Sequence, residues 1–217
     1  MPTDRPTSIK RPLTNAEVDD TAEILESEVV YQGYFRMDRY RLRHRKHDGG
    51  WTGTMTREVF ERGHVVAVIL YDPPRDRLVL LNQFRIAALA GGKPGWQTEI
   101  VAGIIEEGEA PEEVAYRETE EESGCRLKTL IPLYHYLVSP GGTSETMWLY
   151  CGIVDSEGAG GIHGLDAENE DIKVETLPFS EAMTRIGDGR IDNAPAIMGI
   201  QWLALNRERL QREAHNG

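Results

Sequence analysis

Between Gly103 and Cys125 the chain reads GIIEEGEAPEEVAYRETEEESGC, and this stretch limits what the rest can be built around. Ten carboxylates and one cation fall within the 25 residues from Glu99 to Ser123. Pro111 suits a first helical turn, where a missing N–H costs nothing, and Gly124 suits a left-handed helix end; the residues between are mostly good helix formers. The spacing predicts a helix over Pro111 to Ser123. Glu118 and Glu122 then stack one turn apart, and Glu121 leans to the same side. Like charges so spaced destabilise an isolated helix by roughly 0.2–0.5 kcal/mol per pair. Arg117 reaches Glu121 at i to i+4, but one guanidinium cannot neutralise three acids. A hard divalent cation can, because Mg²⁺ prefers carboxylate oxygens and keeps waters that exchange for phosphate. Glu112, Glu113 and Glu120 read as a solvated face.

Before this stretch, residues 1 to about 20 are polar and read as a loosely held terminus. Leu25 to Phe60 reads as a meander of short antiparallel strands turning at HDGGW. Its arginine-rich strand, Arg39 to Arg45, reads either as a solvated edge or as a face that meets acidic surface or an anionic substrate. HVVAVILY and RLVLLNQF are buried strands around a turn at Asp72 to Asp76, Ile86 to Trp96 is a loop, and GWQTEIVAGII returns as a strand into the helix. Arg126 to Ser139 reads as a strand pair or one long bent strand, and Glu145 to Val154 as another strand. A long acidic loop from Gly158 to Asp171 precedes the strand IKVETLP, a helix near Phe179 to Ile186 and an amphipathic helix from Asn193 to Leu210. The order predicts a mixed α/β sheet flanked by helices, with an N-terminal antiparallel β appendage too small to stand alone. The expected division is residues 1–57 and 58–217.

The placement of Gly103, Glu109, Arg117, Glu118, Glu121, Glu122, Gly124 and Cys125 resembles the Nudix hydrolase signature, with Thr119 where that family usually carries an aliphatic residue. The stretches YQGYF, RYRLRHR, REVFERGH, LLNQFRIAA, SPGGTSE, GIHGLDAENEDIKV and IDNAPAIMGIQWL extend the resemblance to the bacterial ADP-ribose pyrophosphatase group, with Pro140 fifteen positions after Cys125. The resemblance implies an α/β/α sandwich and Mg²⁺-dependent hydrolysis of ADP-ribose to AMP and ribose 5-phosphate, with Mn²⁺ as the alternative ion. It implies that Glu118, Glu122 and the carbonyl of Ala102 bind metal, Glu170 being a secondary ligand or a substitute base. Arg117 would orient Glu121, Glu109 would support the loop or add to the metal site, and Glu168, in the run Asp166 to Asp171, would be the general base. Arg85 would lie near the diphosphate or ribose, with Glu99 and Glu145 accepting hydrogen bonds from ribose or adenine. Arg57 would face adenine opposite Tyr34 of the partner subunit, which requires a homodimer with exchanged N-terminal strands. Another nucleoside diphosphate sugar, such as GDP-mannose, is the competing substrate. A nucleotide-binding regulator without turnover is the competing class, against which the intact acid set speaks.

Net charge sets limits on partners. At −12 the chain has no domain-wide basic footprint for a nucleic-acid polymer. No apolar run approaches the ~20 residues that span a bilayer, and MPTDRPTSIK lacks a signal peptide's apolar core, so a cytoplasmic protein is expected. Cys125 and Cys151 have no metal-type spacing and read as buried thiols.

Overall fold

Every residue of HVVAVILY after the histidine is buried because this strand, β4 (His64–Asp72), has a packed layer on each face. Val65, Ala67, Ile69 and Tyr71 meet one core with residues 179–210, including Phe179, Ala182, Ile200 and Leu203. Val66, Val68 and Leu70 point the other way, into a second core with Val114 and Ala115. The period-two alternation of a strand thus sorts one apolar run into two cores. The computed structural model describes Pro6, residues 9–165, Ala167 and residues 169–216. Glu168, expected as the base, and Asp166 lie outside the described residues.

Three strands come first: β1 (Ala22–Gln32), β2 (Arg36–His44) and β3 (Met55–Glu61) form an antiparallel sheet in that order. The second sheet runs β10-β11-β5-β4-β9-β8, from β5 (Arg77–Phe84), β8 (Thr129–Leu137), β9 (Thr146–Ile153), β10 (Gly161–His163) and β11 (Ile172–Pro178). β4 and β9 are its parallel pair. β4 and β5 pair only from Leu70 to Asp72 and Val79 to Arg77, and then part. The gap is filled by GWQTEIVAGII, which is two strands rather than the single one expected: β6 (Trp96–Glu99) pairs with β5 and β7 (Val101–Ile105) with β4. The buried Ile100 marks the crossing. Helix α2 (Pro111–Ser123) covers one face; α3 (Phe179–Gly187) and α4 (Ala194–Asn216) cover the other.

Several expectations need correction. Ile86 to Trp96 is not all loop, since Ile86–Ala90 forms a short helix, α1, closed by bonds from the Gly91 N–H to the Ala87 carbonyl and from the Gly92 N–H to the Leu89 carbonyl, both 3.0 Å. The first twenty residues are not uniformly loose: the Leu13 N–H donates to the Tyr40 hydroxyl at 3.2 Å, and Arg36 donates to the Lys10 carbonyl. Arg36 in turn grips the fully buried Asp38 at 2.7 Å. The arginine strand is the centre of its sheet, not an edge, and its cations have acidic neighbours within that sheet. Direct cross-strand partners in the register are Glu23 and Arg43, Glu26 and Arg41, Glu28 and Arg39, so the charges pair with β1 itself. Arg126 to Ser139 takes the bent-strand form, β8, with a register shift between Pro132 and Tyr134.

Candidate active site

Helix α2 has the ends its sequence calls for. Pro111 is its first residue, and Gly124 closes it at φ 66°, its N–H donating to the Glu120 carbonyl. Its inner face carries Ala115, Thr119 and Glu122, all buried. Thr119, the departure from the usual aliphatic residue, donates its hydroxyl to the Ala115 carbonyl at 2.7 Å, so its one polar group is satisfied inside the helix. Three glutamates that read as solvated have local partners: Glu112 accepts from the Tyr150 hydroxyl at 3.1 Å, Glu113 accepts from the Ala110 N–H at 3.1 Å, and Glu120 pairs with Arg126 at 3.4 Å.

The acids of the helix divide by depth. Glu122 is 4% exposed and accepts from the Ala102 N–H at 3.0 Å. Glu118 sits over Gly103, where even a methyl group would collide with its carboxylate. Glu121 is shallower and meets Arg117 at 3.3 Å. Arg117 also holds Glu118 at 2.8 Å and Glu109 at 3.3 Å, so it is shared among three acids rather than dedicated to Glu121. Glu109 accepts from the Glu106 N–H at 2.9 Å, fixing the turn that feeds the helix.

Burial dominates the electrostatics. It pushes the Glu118 carboxyl up to about 7, against the pull of Arg117. It pushes Glu122 well above the ordinary carboxylate range, with the Ala102 N–H opposing and the charges of Glu118 and Glu170 adding to the rise. Glu170, on the far loop, therefore belongs to the same charge cluster. It is held there by a bond from its N–H to the Leu165 carbonyl at 3.3 Å and by packing of its Cβ against Gly164. Arg85 reaches the cluster from the end of β5. Burial opposes its charge, but Glu99, Glu122 and Glu170 more than offset this and hold the guanidinium above its ordinary value. Its Nε and Nη2 bond one carboxylate oxygen of Glu99 at 3.0 and 2.7 Å. The structure thus gathers Ala102, Gly103, Glu109, Arg117, Glu118, Glu121, Glu122, Glu170, Arg85 and Glu99.

Among the described residues no three His, Cys, Asp or Glu side chains already converge at metal-binding geometry. The donor chemistry nonetheless fits a hard cation: Glu118 and Glu122 supply only oxygens, and burial disfavours their charged forms until a positive charge arrives. The remaining expected site residues stand elsewhere. Arg57 is exposed on β3 and donates to the Thr56 carbonyl at 2.8 Å; Tyr34 lies between β1 and β2, edge-on to Phe35 with ring centroids 4.7 Å apart. Glu145 is buried just before β9 and faces Arg62 at 3.5 Å. Reasoning from sequence passed over Arg62, although it lies in REVFERGH, and also His163, whose ring packs where a side chain on Gly124 would go.

The NUDIX domain model matches residues 61–198. The ADP-ribose pyrophosphatase of Escherichia coli K12 is 45% identical over 191 residues, covering 88% of this chain and 91% of that protein. The GDP-mannose pyrophosphatase of Yersinia enterocolitica is 31% identical over 192 residues, covering 85% and 95%. A solved structure described as an ADP compounds hydrolase superimposes with a TM-score of 0.66 at 20% identity, covering 85% of this chain and 95% of the other, a likeness of fold. On the family match and the near end-to-end alignment with these enzymes, the chain belongs to the NUDIX family.

Proposed function

We propose that the chain hydrolyses the diphosphate bond of ADP-ribose to AMP and ribose 5-phosphate, with Mg²⁺ as the resident ion and Mn²⁺ as a substitute. The observation that carries the reaction class is the pair of half-buried Glu118 and buried Glu122, seated against β7. The choice of substrate is supported by 45% identity to an ADP-ribose pyrophosphatase against 31% to a GDP-mannose pyrophosphatase.

Glu118, Glu122, Glu170 and the Ala102 carbonyl are the proposed metal ligands. Bound there, a divalent cation supplies Lewis-acid polarisation of phosphate oxygens and a water of lowered pKa. Arg117, fastened to Glu109, Glu118 and Glu121, keeps the acids from splaying apart. Arg85, held by Glu99, presents a guanidinium to the diphosphate, a shape it matches in two-point contact. Glu99 and Glu145 accept hydrogen bonds from ribose or adenine. Water oxygen bonds to one phosphorus, the bridging oxygen departs with the other phosphate, and the proton passes to Glu168 as general base. Residues 1–57 form the appendage that exchanges between subunits of a homodimer and residues 58–217 the catalytic domain. Adenine lies between Arg57 and Tyr34 of the partner subunit, and the enzyme acts in the cytoplasm.

A product-resolved assay tests this. ADP-ribose is expected to yield AMP and ribose 5-phosphate only when a divalent cation is present. A higher kcat/KM for GDP-mannose would reassign the substrate. Binding without turnover of any nucleoside diphosphate sugar would make the chain a regulator.

A further inference from the structure

Strand β10 meets the C-terminal end of α2 through one side chain. The His163 imidazole lies over Gly124, where a Cβ would come within 2.7 Å of its Cε1 and 3.3 Å of its Nδ1. Glycine answers two demands there, since the residue also takes the left-handed φ of 66° that ends the helix. The ring is tied down from its own strand as well: its Nε2 donates to the Gly160 carbonyl at 2.9 Å, three residues back.

His163 is also where the acidic loop leaves the sheet. Its cross-strand partner is Ile172 on β11, which is fully buried in the core shared with Val114, Ala115 and Cys125. Directly after His163, Gly164 takes a φ of 99° and lies so close to Glu170 that a Cβ would come within 2.7 Å of the glutamate's own Cβ. The Leu165 N–H donates to the Glu170 carboxylate at 3.3 Å, and the Glu170 N–H donates to the Leu165 carbonyl at 3.3 Å. Glu170 is therefore folded back on the two residues that follow His163, and their place depends on where His163 is seated. The charge of Glu170 in turn bears on Glu118, Glu122 and Arg85.

From this arrangement we infer that His163 is a positioning residue for the metal site: its ring, seated on the glycine cap of α2, sets where Glu170 stands relative to Glu118 and Glu122 on that helix. The inference rests on the proposed function, in which Glu170 is a metal ligand. β10 is an edge strand of three residues that pairs with β11 alone, so the sheet by itself holds it weakly, and the contact with Gly124 is what ties it to the helix. Groups that orient a ligand without touching the ion are worth about 10–100-fold in metal affinity.

The test is Mn²⁺ binding by the full chain without substrate, followed through the electron paramagnetic resonance of the free ion, beside thermal melts in chelator. His163→Ala is expected to weaken Mn²⁺ binding about tenfold, and His163→Phe, which keeps a flat ring over Gly124, to restore most of it. In a Glu170→Gln background His163→Ala is expected to cost almost nothing further, because the ring acts through that glutamate. Gly124→Ala reaches the same contact from the helix side and is expected to show the same dependence on Glu170, which keeps the test decisive should His163→Ala not fold. Arg126→Ala, which removes an exposed ion pair with Glu120 at the same helix end, is the control and is expected to bind Mn²⁺ as wild type does. Wild-type affinity in His163→Ala with only a lower melting temperature, additive losses with Glu170→Gln, a His163→Phe variant as weak as His163→Ala, or an equal loss in Arg126→Ala would overturn the inference. Wild-type affinity in Glu170→Gln would remove Glu170 from the metal site and the inference with it, whereas absence of Mn²⁺ binding by wild-type protein would sink the proposed reaction.

Discussion

Gly103 and Glu118 share one volume: the space a Cβ on the glycine would need is taken by the Cγ and carboxylate of the glutamate. β7 is thereby brought close under α2, and the Ala102 N–H can reach Glu122. Gly103→Ala is expected to push Glu118 out of place, destabilising the protein by about 1–3 kcal/mol as overpacking does, and to cut metal-dependent turnover more than stability. Thermal melts beside kcat measurements check this, and an unchanged kcat would sink it.

Glu122→Gln keeps volume and an oxygen that can accept from Ala102 while removing charge. Turnover is expected to fall by roughly 10²–10³-fold, the scale of losing one electrostatic stabiliser. Because burial disfavours the ionised carboxyl, the metal-free variant is expected to melt above metal-free wild type near neutral pH. Normal kinetics in this variant would refute the metal assignment.

Glu118 sets a pH dependence for the metal-free protein. Its carboxyl is raised to about 7 from an ordinary 4.5, so between these values the folded chain holds a proton the unfolded chain has lost. The stabilisation is fully present below the lower value and is lost as pH rises through the upper one. The loss is on the order of 3–4 kcal/mol at about 1.4 kcal/mol per unit. Melting in chelator from about pH 5 to about pH 8 is expected to show a fall for wild type that is shallower in Glu118→Gln. Added Mg²⁺ is expected to restore wild type at the alkaline end.

Glu168→Gln is expected to lower kcat by about 10²–10⁴-fold with little change in KM, as loss of a general base does. A rise in KM matching the fall in kcat would make Glu168 a binding residue.

The helix that carries the candidate site, like the mixed α/β class, was easier to read in the sequence than the strand pairings around it, and the reason is range. Pro111, Gly124 and the glutamates between them act within a few turns of one helix, so their spacing is written in consecutive letters. The strand reading also succeeded for β4, where an unbroken apolar run announces cover on both faces. The arginines of β2 were misread because their partners Glu23, Glu26 and Glu28 become neighbours only once the register of β1 is known. GWQTEIVAGII read as one strand because nothing in its letters says that β4 and β5 part company around Ile100. Arg62 escaped notice for the same cause, as its meaning depends on Glu145, more than eighty positions away.

The matched ladder of Arg39, Arg41 and Arg43 with the glutamates of β1 has one more effect. Its cations and anions cancel locally, so that surface projects little potential into solvent and does not draw in a negatively charged nucleotide from a distance. In the proposed reaction, capture of the anion then falls to short-range groups such as Arg85, and the ionic-strength dependence of the association rate is expected to be governed there rather than by the cationic run that dominates the N-terminal sequence.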